Sequence, residues 1–456
     1  MATAEIDAVV AGAGIAGLAA ALELQSEGCD VLVVDPSDRP GGVMRTDHRK
    51  GYVFESGPNT TLVKAPMRDF LARRGLEDGL LRAAPGASRR FVYREGGLVE
   101  APASLLGLAR TPLLSLGGKL SALAEPFRRR GDGTRESVAE FVGRRLGGEI
   151  ATGLVGPFLT GVYAGDETQL GAAAVFPELV AREARHGSIA LGTLAGALSR
   201  RKARGLRGSY ATEQGFGPFA RRMAETLAEP PALGSRVSWL ARDGPRWHVD
   251  LTSPSGDMSL SAARVVVATP AWAAADVVRG VDGDVAEALE GIRYAPIVAA
   301  PVGVEQGRAR QPIEGFGFLV PREASLGLLG CLFMSQLFPG RAPAGHELLH
   351  CMLGGVRWPE AVHLPDAELE ARLAGDLKQT LGLADPPPPL AWLRWPRAIP
   401  QPGRDHAERI AWIRGRLDDC PGLALAGSYV AGVSVSDALA SGLEAARRTL
   451  HGVPFV

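Results

Sequence analysis

Apolar residues along this chain repeat with two different periods, and the period changes where Gly and Pro interrupt it. Residues 6–11 hardly alternate, the mark of a strand buried on both faces of a parallel sheet. Residues 31–34 (VLVV) repeat that pattern, and residues 15–27 between them read as a helix, so a βαβ unit opens the chain. Residues 264–268 form a third such run, stopped by Pro270. Four later stretches, 294–304, 316–320, 328–334 and 347–353, alternate and predict a second sheet. Helical spacing returns at 367–382, with Leu369, Leu373, Leu377 and Leu381 on one stripe, Asp366 as its cap and the prolines at 386–389 beyond it. A helix runs up to Leu227, 234–237 leads into a strand, 247–251 forms another, and 422–429 is a last strand and turn before a helix at 438–451. Residues 98–205 read as mostly helical with many breaks, 137–146 being one short amphipathic helix. The whole predicts an α/β fold with mixed α+β character.

Size and charge narrow the partners. The chain has 456 residues, 46% of them hydrophobic, enough for two or three domains. Lys+Arg and Asp+Glu both total 50, so no field draws in nucleic acid, and no nucleic-acid partner is expected. Cys29, Cys331, Cys351 and Cys420 are far apart and form no CxxC or zinc-type spacing. Reduced thiols and no metal follow, in a cytoplasmic compartment. Glu5 and Asp7, rather than basic residues, precede the first apolar run, so it does not read as a signal peptide. No charge-free apolar run is long enough to cross a bilayer. Arg128-Arg129-Arg130 and the basic stretch at 200–204 are solvated loops, or sites that dock on an anionic membrane surface.

The opening unit carries the chemistry. Gly12, Gly14 and Gly17 stand at dinucleotide-binding spacing between the first strand and the helix that Ile15 and Ala16 begin. The first permits a sharp turn, the second a close backbone approach to pyrophosphate, and the third tight helix packing. Asp35 ends the second strand, where a carboxylate accepts from ribose hydroxyls. Arg39, Pro40, Gly41 and Gly42 follow, then Gly57, Pro58, Asn59 and Thr60. A glycine pair just past the second strand resembles the flavin-linked amine oxidase superfamily, in which this loop runs along the cofactor. That resemblance implies FAD rather than NAD. It also places Val237 beside adenine, Ala268 and Thr269 in a returning strand, and Gly427, Ser428, Val433, Val435 and Ser436 at the flavin, where helix amides face oxygens that gain charge on reduction.

Further segments resemble the protoporphyrinogen oxidase family: Arg90-Phe91-Val92-Tyr93, Gly161-Val162-Tyr163-Ala164-Gly165-Asp166 with Phe176-Pro177 after it, Gly317-Phe318-Leu319-Val320-Pro321, Leu337-Phe338-Pro339-Gly340-Arg341-Ala342-Pro343 and Ile399-Pro400-Gln401. They span nearly the whole chain in the family's order. The resemblance implies a Rossmann-like FAD-binding domain assembled from 1–86, 206–275 and 405–456. It adds a sheet-based substrate domain from 87–112 and 276–404, and an inserted helical, membrane-associating domain at 113–205. It implies oxidation of protoporphyrinogen IX to protoporphyrin IX in three two-electron flavin cycles, with molecular oxygen as acceptor and release of hydrogen peroxide. Hydride passes to the flavin, so no protein side chain is named as catalytic.

In that family Arg90 matches the propionate-binding position, Leu319 and Phe333 match ring-clamping positions, and Gly161 and Gly165 let backbone approach the macrocycle. Peripheral attachment to the cytoplasmic face of a membrane, a partnership with ferrochelatase, and a monomeric or homodimeric state complete the expectation. Departures stand at Ser428, Ser434, Ala438, Pro402 and Asp405, where the family usually has other residues. Oxidation of coproporphyrinogen III remains an alternative, as does a flavin amine oxidase. Against the amine oxidase, no lysine stands between Lys202 and Lys378 to hold a water near the flavin.

Overall fold

Two seven-stranded sheets meet, and a helical lobe is inserted between the segments that build them. The computed structural model describes residues 4–131, 133–198 and 205–451. The first sheet runs Arg236–Asp243, Arg246–Thr252, Met258–Val267, Ala4–Ala11, Val31–Asp35, Ala232–Leu233, with Leu423–Leu425 also paired to Met258–Val267. Its centre is parallel: Val10 pairs with both Val266 and Val33. These valines are buried because helices cover both faces, which explains the unbroken apolar runs. Helix Ile15–Ser26 is apolar nearly all round because it lies between this sheet and helix Val435–His451. Gly442 permits that crossing, since a Cβ there would sit 2.0 Å from the Ala16 carbonyl oxygen.

The last helix starts at Val435, three residues earlier than the expected 438. Ser434 explains the early start: its Oγ accepts the Asp437 amide at 3.1 Å and donates to the Asp437 carboxylate at 2.6 Å.

The second sheet runs Leu393–Pro400, Tyr294–Glu305, His346–Gly354, Leu328–Phe333, Gly317–Leu319, Arg90–Arg94, Gly97–Glu100. Its outer face carries Val298, Phe318, Cys331, Phe333, Leu349 and Cys351, which pack with Leu369, Leu373, Leu377 and Leu381 of helix Asp366–Leu381. Asp366 is not that helix's cap. It is the first helical residue, and its carboxylate accepts from Arg394.

The helical lobe has its own core around Leu114, Phe141, Leu159 and Leu170. Ser137 and Glu140 form a reciprocal capping box on helix Val138–Leu146. The fully buried Arg145 pairs with Glu125, whose carboxylate also accepts from Ser188 Oγ at 2.6 Å. Among the described residues, no helix is long and apolar enough to cross a membrane.

Candidate functional site

Backbone geometry explains why the nucleotide turn needs its glycines. Gly12 has φ +107°, and a Cβ on it would meet the Ala268 carbonyl oxygen at 2.8 Å. A Cβ on Gly17 would stand 1.8 Å from the Gly12 oxygen. Gly14 is different, because nothing lies within 4 Å of the atom it lacks. The open side of the turn is therefore beside Gly14, at the N-terminus of helix Ile15–Ser26, which no side chain caps. Ala13 N donates to Asp35 Oδ2 at 2.7 Å and Ser37 N to Oδ1 at 2.8 Å, so the buried acid is fixed next to the turn. Ser235 N reaches the Asp35 carbonyl at 3.0 Å and brings the Val237 strand alongside.

The glycine pair closes on the same place. Gly41 N donates to Ala13 O at 2.8 Å. Arg39 holds the loop's shape by donating to Met44 O and Gly42 O, both at 3.0 Å. Asn59 Oδ1 and Thr269 Oγ1 are buried without a hydrogen-bond partner. Two orphaned oxygens near a turn open at Gly14 fit a large polar cofactor that completes them. Gly12, Gly14, Gly17, Asp35, Gly41 and Gly42 are brought together here, with Ala268 against Gly12.

The far end is more occupied. Ser436 Oγ already accepts the Lys64 amide at 3.2 Å, and Lys64 Nζ donates to Asp437 Oδ1 at 2.6 Å. Gly427 has φ +132°, and its amide donates to Ser441 Oγ at 2.9 Å. Ser428 begins a short helix, Ser428–Ala431. Val435 is buried, and Val433 packs partly against the helical lobe.

The second sheet's inner face supplies the other wall. Strand register sets two rows across it. One holds Arg90, Gly317, Leu332, His350 and Pro301; the next holds Val92, Leu319, Gly330, Met352, Ala299 and Leu393. Arg90 has no acidic partner among the described residues; its guanidinium lies 4.4 Å from the centroid of the Phe316 ring. Desolvation lowers its pKa from an already high value, so it stays charged. Leu319 packs directly on Gly161 of helix Gly156–Tyr163. The space beside Gly165 is taken by Gln401 and Leu170.

Phe333 does not share this face. It is fully buried on the outer side, 6.0 Å from Phe318 between ring centroids, and cannot clamp a ligand opposite Leu319. Residue alternation puts its neighbour Leu332 on the inner side instead. Ile297, Leu332, Met352 and Trp395 are inner-face residues that the sequence reading missed. Their alternation is visible in the chain, but only the strand register says which half faces inward. His350, buried there with Nδ1 unpartnered, is pushed down to about 4 by burial and is neutral at pH 7.

Beneath the junction lies a buried carboxylate. Glu55 accepts from Thr46 Oγ1 at 2.7 Å and from the Phe216 amide at 3.2 Å, with Arg341 Nη1 at 3.5 Å. Burial outweighs these partners and pushes its pKa up to about 7.

A dinucleotide turn joined to a glycine-pair loop, under a sheet with an apolar inner face, defines a class of flavoenzyme. Residues 15–450 match the flavin containing amine oxidoreductases, and the chain belongs to that family. It is an oxidoreductase with FAD as its cofactor. The chain is 32% identical over 467 residues to the chloroplastic protoporphyrinogen oxidase of Nicotiana tabacum, covering 97% of this chain and 85% of that protein. It is 27% identical to the coproporphyrinogen III oxidase of Bacillus subtilis, covering 95% and 96%. A putative protoporphyrinogen oxidase from Exiguobacterium superposes with a TM-score of 0.78 at 24% identity, covering 98% and 99%, and so shares the fold.

Proposed function

We propose that the chain oxidises protoporphyrinogen IX to protoporphyrin IX, consuming three O2 and releasing three H2O2 for the six hydrogens removed. Bound FAD supplies a two-electron acceptor, so each macrocycle needs three turnovers. Gly12, Gly14, Gly17, Asp35, Arg39, Gly41, Gly42, Asn59 and Thr269 would hold it. The observation that carries the reading is Arg90, an arginine without an acidic partner among the described residues, at one end of an inner face that is apolar apart from the neutral His350. A flat apolar macrocycle with propionates along one edge suits that arrangement, because the cation anchors carboxylate while Leu319, Leu332 and Met352 exclude water. Porphyrinogen-oxidising relatives at about a third identity support the substrate class.

Anaerobic mixing of the purified protein with each porphyrinogen tests this. Bleaching of flavin absorbance with protoporphyrinogen IX, then porphyrin fluorescence and peroxide when oxygen is admitted, is the expected result. Preference for coproporphyrinogen III would reassign the substrate, and no bleaching with either would end the proposal.

Attachment to a membrane surface belongs to the same reading. Leu116, Leu120, Leu123 and Phe127 are 79%, 66%, 74% and 90% exposed, beside the exposed Arg128, Arg129 and Arg130. An apolar ridge flanked by cations suits the edge of an anionic bilayer. The basic stretch at 200–204 lies outside the described residues.

A further inference from the structure

Trp395 joins the second sheet to the cofactor loop. It stands on the edge strand Leu393–Pro400 and pairs in register with Ile297, which puts it on the inner face. Its indole Nε1 donates to the Ser56 carbonyl oxygen at 2.7 Å. From the nucleotide side, Ser56 is already held twice: its amide donates to Arg45 O and its hydroxyl to Asp47 Oδ2, both at 2.7 Å. Gly57 then lies so close to Val43 that a Cβ would come within 2.1 Å of the Val43 oxygen. The turn is thus clamped from below by Val43, Arg45 and Asp47. Trp395 clamps it from the substrate sheet.

What the clamp holds is Asn59. That residue is only 9% exposed, its Oδ1 has no partner, and its Nδ2 reaches Gly57 O at a long 3.4 Å. A buried amide oxygen without a donor is costly unless a ligand supplies one. Arg90 and Trp395 stand near opposite edges of the sheet, five strand spacings apart, or roughly 24 Å. The anchoring cation is therefore at one end of the inner face and the cofactor loop at the other.

We propose that Trp395 is a positioning residue: its N–H fixes the turn at residues 56–59 against the substrate sheet, so that the Asn59 amide oxygen meets an N–H donor on the ligand bound at the junction. This rests on the flavin and porphyrinogen reading above. Trp395→Phe keeps a ring and removes the donor; Trp395→His keeps a ring N–H. Each holoprotein is stripped of flavin and titrated with FAD by fluorescence, then assayed with protoporphyrinogen IX.

Loss of one hydrogen bond should weaken FAD binding about threefold to tenfold in Trp395→Phe. kcat should fall while KM changes little, and Trp395→His should stay near wild type. In an Asn59→Ala background, Trp395→Phe should add little further loss, because the residue it positions is gone. Unchanged flavin affinity and kcat in Trp395→Phe would overturn the proposal. So would equal losses in both variants that track a lowered melting temperature, or effects of Trp395→Phe and Asn59→Ala that simply multiply. Should Trp395→Phe fail to fold, Trp395→His decides alone, since weakened FAD binding in a protein that melts like wild type would sink the role of the N–H. A wild-type protein that takes up no flavin is a separate failure, of the reading underneath.

Discussion

Leu319 occupies the space that a side chain on Gly161 would need: a Cβ built on Gly161 falls 2.4 Å from Leu319 Cδ2. Leu319 also leans on Gly330, where an added Cβ would lie 3.2 Å away. One leucine thus joins the helical lobe to the inner face through two glycines. Gly161→Ala should push the Leu319 side chain off its seat, at a cost of about 1–3 kcal/mol. The expected outcome is a raised KM with kcat less affected, measured in steady state. Gly161→Ala combined with Leu319→Val should recover much of the loss. A double variant as impaired as the single would show that Leu319 is not what Gly161 accommodates.

Arg90 has no carboxylate to lose, so its removal should be felt by substrate and hardly by the fold. A charge-assisted hydrogen bond is worth about 1.5–3 kcal/mol, roughly ten- to a hundredfold in KM. Arg90→Ala should show that rise while denaturant midpoints stay close to wild type. Arg90→Lys should recover only part, because a point charge replaces a planar fork. An unchanged KM would remove Arg90 from the site.

The nucleotide turn could be read from sequence because its constraints are local. Gly12, Gly14, Gly17 and Asp35 lie within one βαβ unit: Gly17 answers to the Gly12 oxygen in the same turn, Gly14 faces open space, and Gly12 alone answers to another strand's end, at Ala268. The inner face is harder. Leu319 and Phe333 are both apolar strand residues, yet they point to opposite sides. Which alternate half of Leu328–Phe333 faces inward depends on its pairing and on a register irregularity between Leu328 and Gly330. Trp395 escaped notice for the same reason: its partner Ser56 is 339 residues away. Ser434 is a signal the reading passed over: its three-residue spacing to Asp437 is a helix-start pattern, yet the last helix was expected only from 438, and the structure starts it at Val435.

Gly17→Ala should separate folding from flavin binding only poorly, and that is its use. The new methyl would stand 1.8 Å from a backbone oxygen, which no rotamer change can relieve. Helix Ile15–Ser26 must shift away from the turn, spoiling the anion site at its N-terminus. A colourless or insoluble product is expected. Gly14→Ala meets no protein atom within 4 Å, so it should fold normally and lose flavin affinity alone. Retention of full flavin by Gly14→Ala would place the pyrophosphate elsewhere.

Glu55 gives the fold a pH dependence. Its pKa is raised to about 7 by burial, above its unfolded value of 4.5. The folded state therefore binds the proton more tightly. The resulting stability is full below about pH 4.5 and is lost as pH rises through 7, a change on the order of 3 kcal/mol. Glu55→Gln should flatten the melting temperature between pH 5 and 8 relative to wild type, as about one titrating group would require. Because the amide resembles the neutral carboxyl, the variant should differ least from wild type below about pH 5 and gain on it as the pH rises through 7. A Glu55→Gln profile parallel to wild type would assign the titration to another group.

The exposed ridge on the helical lobe makes the membrane proposal quantitative. Leu116, Leu120 and Leu123 recur at helical spacing on one side of Leu116–Leu123, and Phe127 extends the line. Fully burying one such side chain is worth about 1.5–3 kcal/mol, and each neighbouring arginine adds about 1 kcal/mol on an anionic surface. Two introduced carboxylates should therefore abolish binding outright rather than trim it. Leu120→Glu with Phe127→Glu should stay in solution when wild type sediments with anionic vesicles, while its activity on detergent-dispersed porphyrinogen is kept. Raising salt should weaken wild-type binding without eliminating it, because screening acts on the arginines and leaves the apolar ridge in place. Wild type that never sediments, or that sediments equally well with neutral vesicles, would remove the anionic bilayer as the partner of this face.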